Sequence, residues 1–196
     1  MKKLFILLVF LCSVAVSNAQ EKETEKSQSK AVLFEKSIGS LIRKDFYNLP
    51  KVSGVENNVL ILTDILTGTK IGCLRMEYYD DYNDLRAGYI DFEELDAAIK
   101  SLSYIKETIL HTTPDVYTEF SFKSKDGVQL GTYFNEKTQK WVVFICLRKW
   151  ADFLVEVNAE PKCSSRKYAL HCDVTQLSRM IENLKRAKSK IQELTK

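Results

Sequence analysis

The chain has 196 residues, 45% of them hydrophobic and 28% charged, with 29 Lys and Arg against 26 Asp and Glu. Seven glycines and three prolines exclude a fibrous or low-complexity composition, and the hydrophobic share is that of a chain that folds around a core. The formal charge of +3, with Lys185–Lys190 as the one basic cluster, excludes the basic face on which a nucleic-acid binder depends.

The first element in chain order is an export leader. Lys2 and Lys3 form a positive start, Leu4 to Val16 an apolar run, and Ser17, Asn18 and Ala19 a small-residue exit, so cleavage is expected between Ala19 and Gln20. The thirteen residues of the apolar run are too few to span a membrane, which takes about 20, and no transmembrane segment is expected later. Leu11, where a small residue would be wanted, disfavours Cys12 as a lipidated cysteine. The mature chain, residues 20–196, is expected in the periplasm or outside the cell. Losing Lys2 and Lys3 turns 29 basic residues into 27 against 26 acidic ones, a net charge of +1.

Residues 20–31 read as a flexible charged linker, since Glu21 to Lys30 holds three Glu, three Lys and no apolar side chain. A single α+β domain is expected over residues 32–196. Val32 to Tyr47 reads as a short helix followed by an edge strand. Val59 to Ile65 and Ile71 to Tyr79 form a hairpin about Thr67-Gly68-Thr69, with Leu74, Met76 and Tyr78 on one face and Arg75, Glu77 and Tyr79 on the other. A strand ending at Asp91 enters a helix with the stripe Leu95, Ile99, Leu102, Ile105 and Ile109. Tyr117 to Phe122 and Val128 to Phe134 form a second hairpin about Asp126-Gly127, and Trp141 to Leu147, apolar on both faces, reads as a central strand. Ala169 to Asp173 then enters a helix with the stripe Leu177, Ile181, Leu184, Ile191 and Leu194. The expected fold is a mainly antiparallel sheet with two amphipathic helices packed on it.

The two strand-to-helix passages match internally. From Asp91 and from Asp173 alike, leucine or isoleucine follows at offsets 4, 8 and 11, and Glu94 and Gln176 stand where a capping box requires them. This suggests a duplicated unit, with halves at 47–110 and 114–194 and with Asp91 and Asp173 as helix caps.

Candidate chemistry is sparse. Gly88 to Leu95 resembles the second half of a calcium loop ending in Glu94, but Asn83, Leu85 and Ala87 occupy positions that need oxygen ligands, so no metal is expected. Asp80, Asp81, Asp84, Glu93 and Glu94 read as a solvated loop and a helix start. His111 and His171 are the sole histidines, and His171, Cys172 and Cys163 show no zinc-ligand spacing. No phosphate loop or serine elbow is present, so neither a cofactor nor catalytic residues are assigned. Cys73, Cys146, Cys163 and Cys172 remain in the mature chain and permit disulfides; Cys163–Cys172 is the favoured pair, while Cys73 and Cys146 sit in apolar runs. Tyr78, Tyr79, Tyr82, Tyr89, Trp141 and Trp150 are packing aromatics by default, with Trp150 the foremost candidate for an exposed contact.

The segments Ile38-Gly-Ser-Leu-Ile-Arg-Lys-Asp-Phe46, Leu60-Ile-Leu-Thr-Asp-Ile-Leu-Thr-Gly68 and Tyr89-Ile-Asp-Phe-Glu-Glu-Leu95 resemble small secreted Bacteroidetes proteins of unknown function. That resemblance implies export and no particular activity. The functional expectation is a non-enzymatic envelope or secreted module that binds a protein or small ligand; the alternative is a hydrolase or other enzyme whose site carries no motif.

Overall fold

The computed structural model describes residues 28–149 and 169–196. A short helix, α1 (Lys30–Glu35), leads into a meander of four strands, β1 (Ile42–Val52), β2 (Val55–Asp64), β3 (Lys70–Tyr79) and β4 (Leu85–Asp91). A 3₁₀ turn, Phe92–Glu94, feeds helix α2 (Leu95–Glu107), which ends in another 3₁₀ turn, Ile109–His111. A second meander follows: β5 (Glu119–Lys123), β6 (Gln129–Asn135) and β7 (Lys140–Cys146), then the short strand β8 (Arg148–Lys149). Strand β9 (Leu170–Cys172) and helix α3 (Gln176–Leu194) complete the described chain.

The fold is α+β, and its strands form two antiparallel sheets, β1-β2-β3-β4-β8 and β5-β6-β7-β9, where the sequence suggests one. The chain leaving β7 reaches the first sheet through β8, whose Arg148 pairs with Ala87 of β4. Alternation behaves as the sequence predicts: Leu74, Met76 and Tyr78 are buried on the inward face, with Arg75, Glu77 and Tyr79 opposite. β7 is central, between β6 and β9, as its two apolar faces require.

One core joins both sheets to both helices. It includes Val59, Ile61 and Leu74 from the first sheet, Leu130, Val143 and Ile145 from the second, and the stripes of α2 and α3. The helices pack against each other, and each lies mainly on the sheet of the other half: α2 on β5 and β6, α3 on β1, β2 and β3. The approach of α3 to β3 is so close that a Cβ at Gly72 would stand 2.4 Å from Ile191 Cγ2. Asn183, buried on the inner stripe of α3, donates to Pro50 O at 2.6 Å, satisfying a polar group that would otherwise oppose burial.

The other face of the first sheet has its own apolar cluster, in which Ala31 and Val32 of α1 cover Leu60, Leu62, Cys73 and Tyr89. Asp91 holds α1 in place. Its carboxylate accepts from Ser29 Oγ (2.8 Å), Lys30 N (2.7 Å) and Ala31 N (3.2 Å), three donors around the free amides of a helix start. Ser29 and Ala31, placed in the linker on composition, are therefore buried parts of the fold. Composition missed this because a helix needs few apolar residues when a distant carboxylate receives its amides.

The two expected caps differ. Around Asp91 the capping box forms, with Glu94 Oε2 accepting from Asp91 N at 3.1 Å. The N-cap of α3 falls on Thr175, and Asp173 stands two residues earlier, its Oδ1 accepting from Thr175 N at 2.8 Å. Asp173 thus caps the turn that enters α3, its carboxylate accepting from Thr175 N and its carbonyl from Gln176 N, two residues before the helix proper.

Candidate functional site

Three connections meet at one end of the second sheet: the passage after α2, the β6–β7 turn, and the junction of β9 with α3. They enclose an open cleft of about 660 Å³, within the range of about 300–1,000 Å³ usual for small-ligand sites. Leu110, Phe134, Trp141, Val142 and Cys172 supply its apolar lining.

Trp141 is the fixed point. Its Nε1 donates to Thr112 O at 2.8 Å, which ties the strand to the passage after α2. Phe134 packs edge-on against the indole at 5.3 Å between ring centroids, and Phe120 lies 6.1 Å away. The indole is held with its polar group already satisfied, so it offers the cleft an aromatic surface and no donor.

The polar rim comes from turns. In the β6–β7 turn Asn135 Oδ1 accepts from Lys137 N (3.0 Å) and Thr138 N (3.3 Å), and Gln139 adopts a left-handed φ of 52°. Gln139 Nε2 donates to Glu136 O at 2.8 Å, which holds its side-chain amide on the turn that lines the cleft. Lys140, His111 and Thr113 add exposed polar groups. Asp173 is held below the usual carboxylate range by hydrogen bonds from Thr175, so it stands on the rim as an anion.

The cleft also collects His111, Cys172 and Asp173. Burial pushes the Cys172 thiol up, away from the thiolate that a nucleophile needs. Its Sγ sits 3.8 Å from Leu170 O as a donor, and among the described residues no hydrogen bond joins it to His111. His171, its neighbour in sequence, points to the opposite face of β9 and packs against Tyr133 at 5.7 Å between ring centroids. Strand alternation separates the two residues that looked adjacent.

The favoured Cys163–Cys172 pair is corrected: Cys172 carries a free thiol, as does Cys73. Cys163 and Trp150 lie outside the described residues. Of the other aromatics, Tyr78 and Tyr89 are core, and Tyr79 and Tyr82 are exposed near the β3–β4 turn. The acidic loop and helix start are engaged internally: Asp80 Oδ2 binds Arg86, Glu93 pairs with Lys30, and Glu94 Oε1 accepts from Lys125 N.

Trp141, His111, Cys172 and Asp173 each stand out in the sequence, but nothing in it brings them together, and nothing local marks Asn135, Thr138 and Gln139 beyond an ordinary turn. No family model matches the chain, and no curated protein matches it.

Proposed function

We propose that the chain is an exported binding protein that holds a small polar ligand in the cleft beside Trp141 and performs no chemistry on it. The pinned indole carries this reading: a rigid aromatic floor, ringed by side chains from three separate turns, is preorganised for contact. The hydrolase alternative would rest on Cys172 and His111, and burial, which pushes the thiol up, works against its use as a nucleophile.

The test is a thermal-shift screen of the mature chain, residues 20–196, against saccharides, amino acids, short peptides, nucleosides and organic acids. A compound that stabilises the wild type but not Trp141→Leu supports the reading. If the wild type and the variant respond alike to every class, the cleft is not a binding site.

One further expectation belongs to this reading. Four antiparallel strands followed by a helix recur in both halves, β1 to β4 with α2 and β5, β6, β7 and β9 with α3, which favours descent from a duplicated unit.

A further inference from the structure

We infer that the ligand of this cleft is a neutral saccharide, a short chain of sugar rings lying with an apolar face on Trp141. The inference rests on the binding reading above and concerns the chemistry of what binds.

The lining excludes other small-ligand classes one at a time. A charged ligand would need a buried, paired counter-charge. Lys140 and Asp173 are both exposed, opposite in sign and open to water, where a single ion pair is worth about 0–1 kcal/mol. Neither can anchor an acid, a base or a zwitterion. A flat base or other aromatic ligand is usually gripped between two rings, but the other aromatic ring of the lining, Phe134, packs against Trp141 itself. Phe134 and Phe120 pack against Trp141 and support it. A wholly apolar ligand would strand the hydroxyls and amides of Thr113, Thr138 and Gln139 without partners.

A sugar ring has the complementary pattern, with one face of C–H bonds and an edge of hydroxyls. The C–H face fits an indole whose own N–H is bound to Thr112 O. The hydroxyl edge meets acceptors at Asp173 and the Gln139 side-chain amide, and donors at Lys140 and Thr138, groups that serve as well for a polyol as for water. The open rim, shared by three connections, leaves room for a short oligomer to extend past the indole.

The chain has two tryptophans, so Trp150→Phe leaves Trp141 as the single fluorescent reporter in the cleft. The mature Trp150→Phe protein would be titrated with maltotriose, cellotriose, xylotriose and triacetylchitotriose, and in parallel with adenosine and trialanine. The expected result is a saturating change in Trp141 emission with at least one trisaccharide, unchanged in 0.5 M sodium chloride, with no change from adenosine or trialanine. Saturation-transfer NMR on the same sugar should show contact through its C–H protons. Thr138→Leu and Gln139→Met, surface changes that leave the core untouched, should each weaken binding about threefold or more; Trp141→Leu should weaken it tenfold or more by NMR. A response to adenosine or trialanine with silent trisaccharides overturns the saccharide and leaves the binding reading intact. Binding that falls steeply with salt overturns it too, since the ligand is then charged. Silence in all arms overturns both.

Discussion

Asp126 stands in the β5–β6 turn yet acts on the other sheet. Its Oδ2 accepts from Tyr89 N of β4 at 2.9 Å, its Oδ1 binds the Arg148 guanidinium, and Ser124 Oγ donates to Tyr89 O at 2.9 Å, so one turn satisfies the free edge of β4. Burial pushes its carboxyl up to about 7, against the opposing pull of Arg148 and the Tyr89 amide. The folded state then keeps a proton that the unfolded chain has released, so this stabilisation is complete below about pH 4 and is lost as pH rises toward 7. Urea midpoints measured from pH 5 to 7 should fall for the wild type and fall less for Asp126→Asn; equal slopes would show that Asp126 does not titrate in that window. The carboxyls of Asp64, Asp80 and Asp173 are shifted down and titrate below it. At Cys172 the raised thiol predicts alkylation by iodoacetamide at pH 7 at least tenfold slower than for an unfolded control. Labelling at the control rate would reopen the enzyme alternative.

Two helices each have one contact on which their placement can be tested. Helix α1, with six residues, is too short to be stable alone, and it depends on the Asp91 carboxylate and on covering Leu60 and Leu62. Asp91→Asn sets an amide against backbone donors and should cost about 1–3 kcal/mol. Limited proteolysis should then cut within residues 36–41, and unchanged resistance there would argue against the clip. Helix α3, packed along its whole apolar stripe, comes closest to the first sheet at Gly72. Gly72→Ala should destabilise by about 1–3 kcal/mol through overpacking against Ile191, measured by denaturant unfolding. A neutral result would mean that α3 can move away at no cost.

Over the whole molecule, the exchange of helices makes each half depend on the other. The second meander cannot lose α2 without uncovering β5 and β6, and the first cannot lose α3 without uncovering β1, β2 and β3. Ile191→Ala, expected to cost about 2–5 kcal/mol, should lower hydrogen-exchange protection in β2 and β3 and equally in β6 and β7, because the core is continuous. Loss confined to one sheet would show two separate folding units. The cleft belongs to the same scale. Trp141 at the start of β7, Thr112 after α2 and Asp173 after β9 meet because the end of α2, the β6–β7 turn and the start of α3 are brought together at one end of the second sheet.

Residue spacing alone determined most of the strands and the two long helices, though not the β1–β2 hairpin at Ser53–Gly54 or the short β8. Period-two burial at Leu74, Met76 and Tyr78, the helical stripes from Leu95 and Leu177, and the turns at Gly68 and Gly127 are local consequences of backbone geometry, and each is present in the fold. Spacing also identified Asp91 as a residue that receives backbone amides, but it could not reveal the second set, from Ser29 to Ala31, because a carboxylate's distant partners leave no local pattern. Tertiary structure alone decided the division into two sheets, the exchange of helices, the separation of His171 from Cys172, and the meeting of Trp141 with Asn135, Thr138, Gln139 and Asp173. Those outcomes depend on which apolar faces bury each other, and many chain paths are compatible with the same local periodicity.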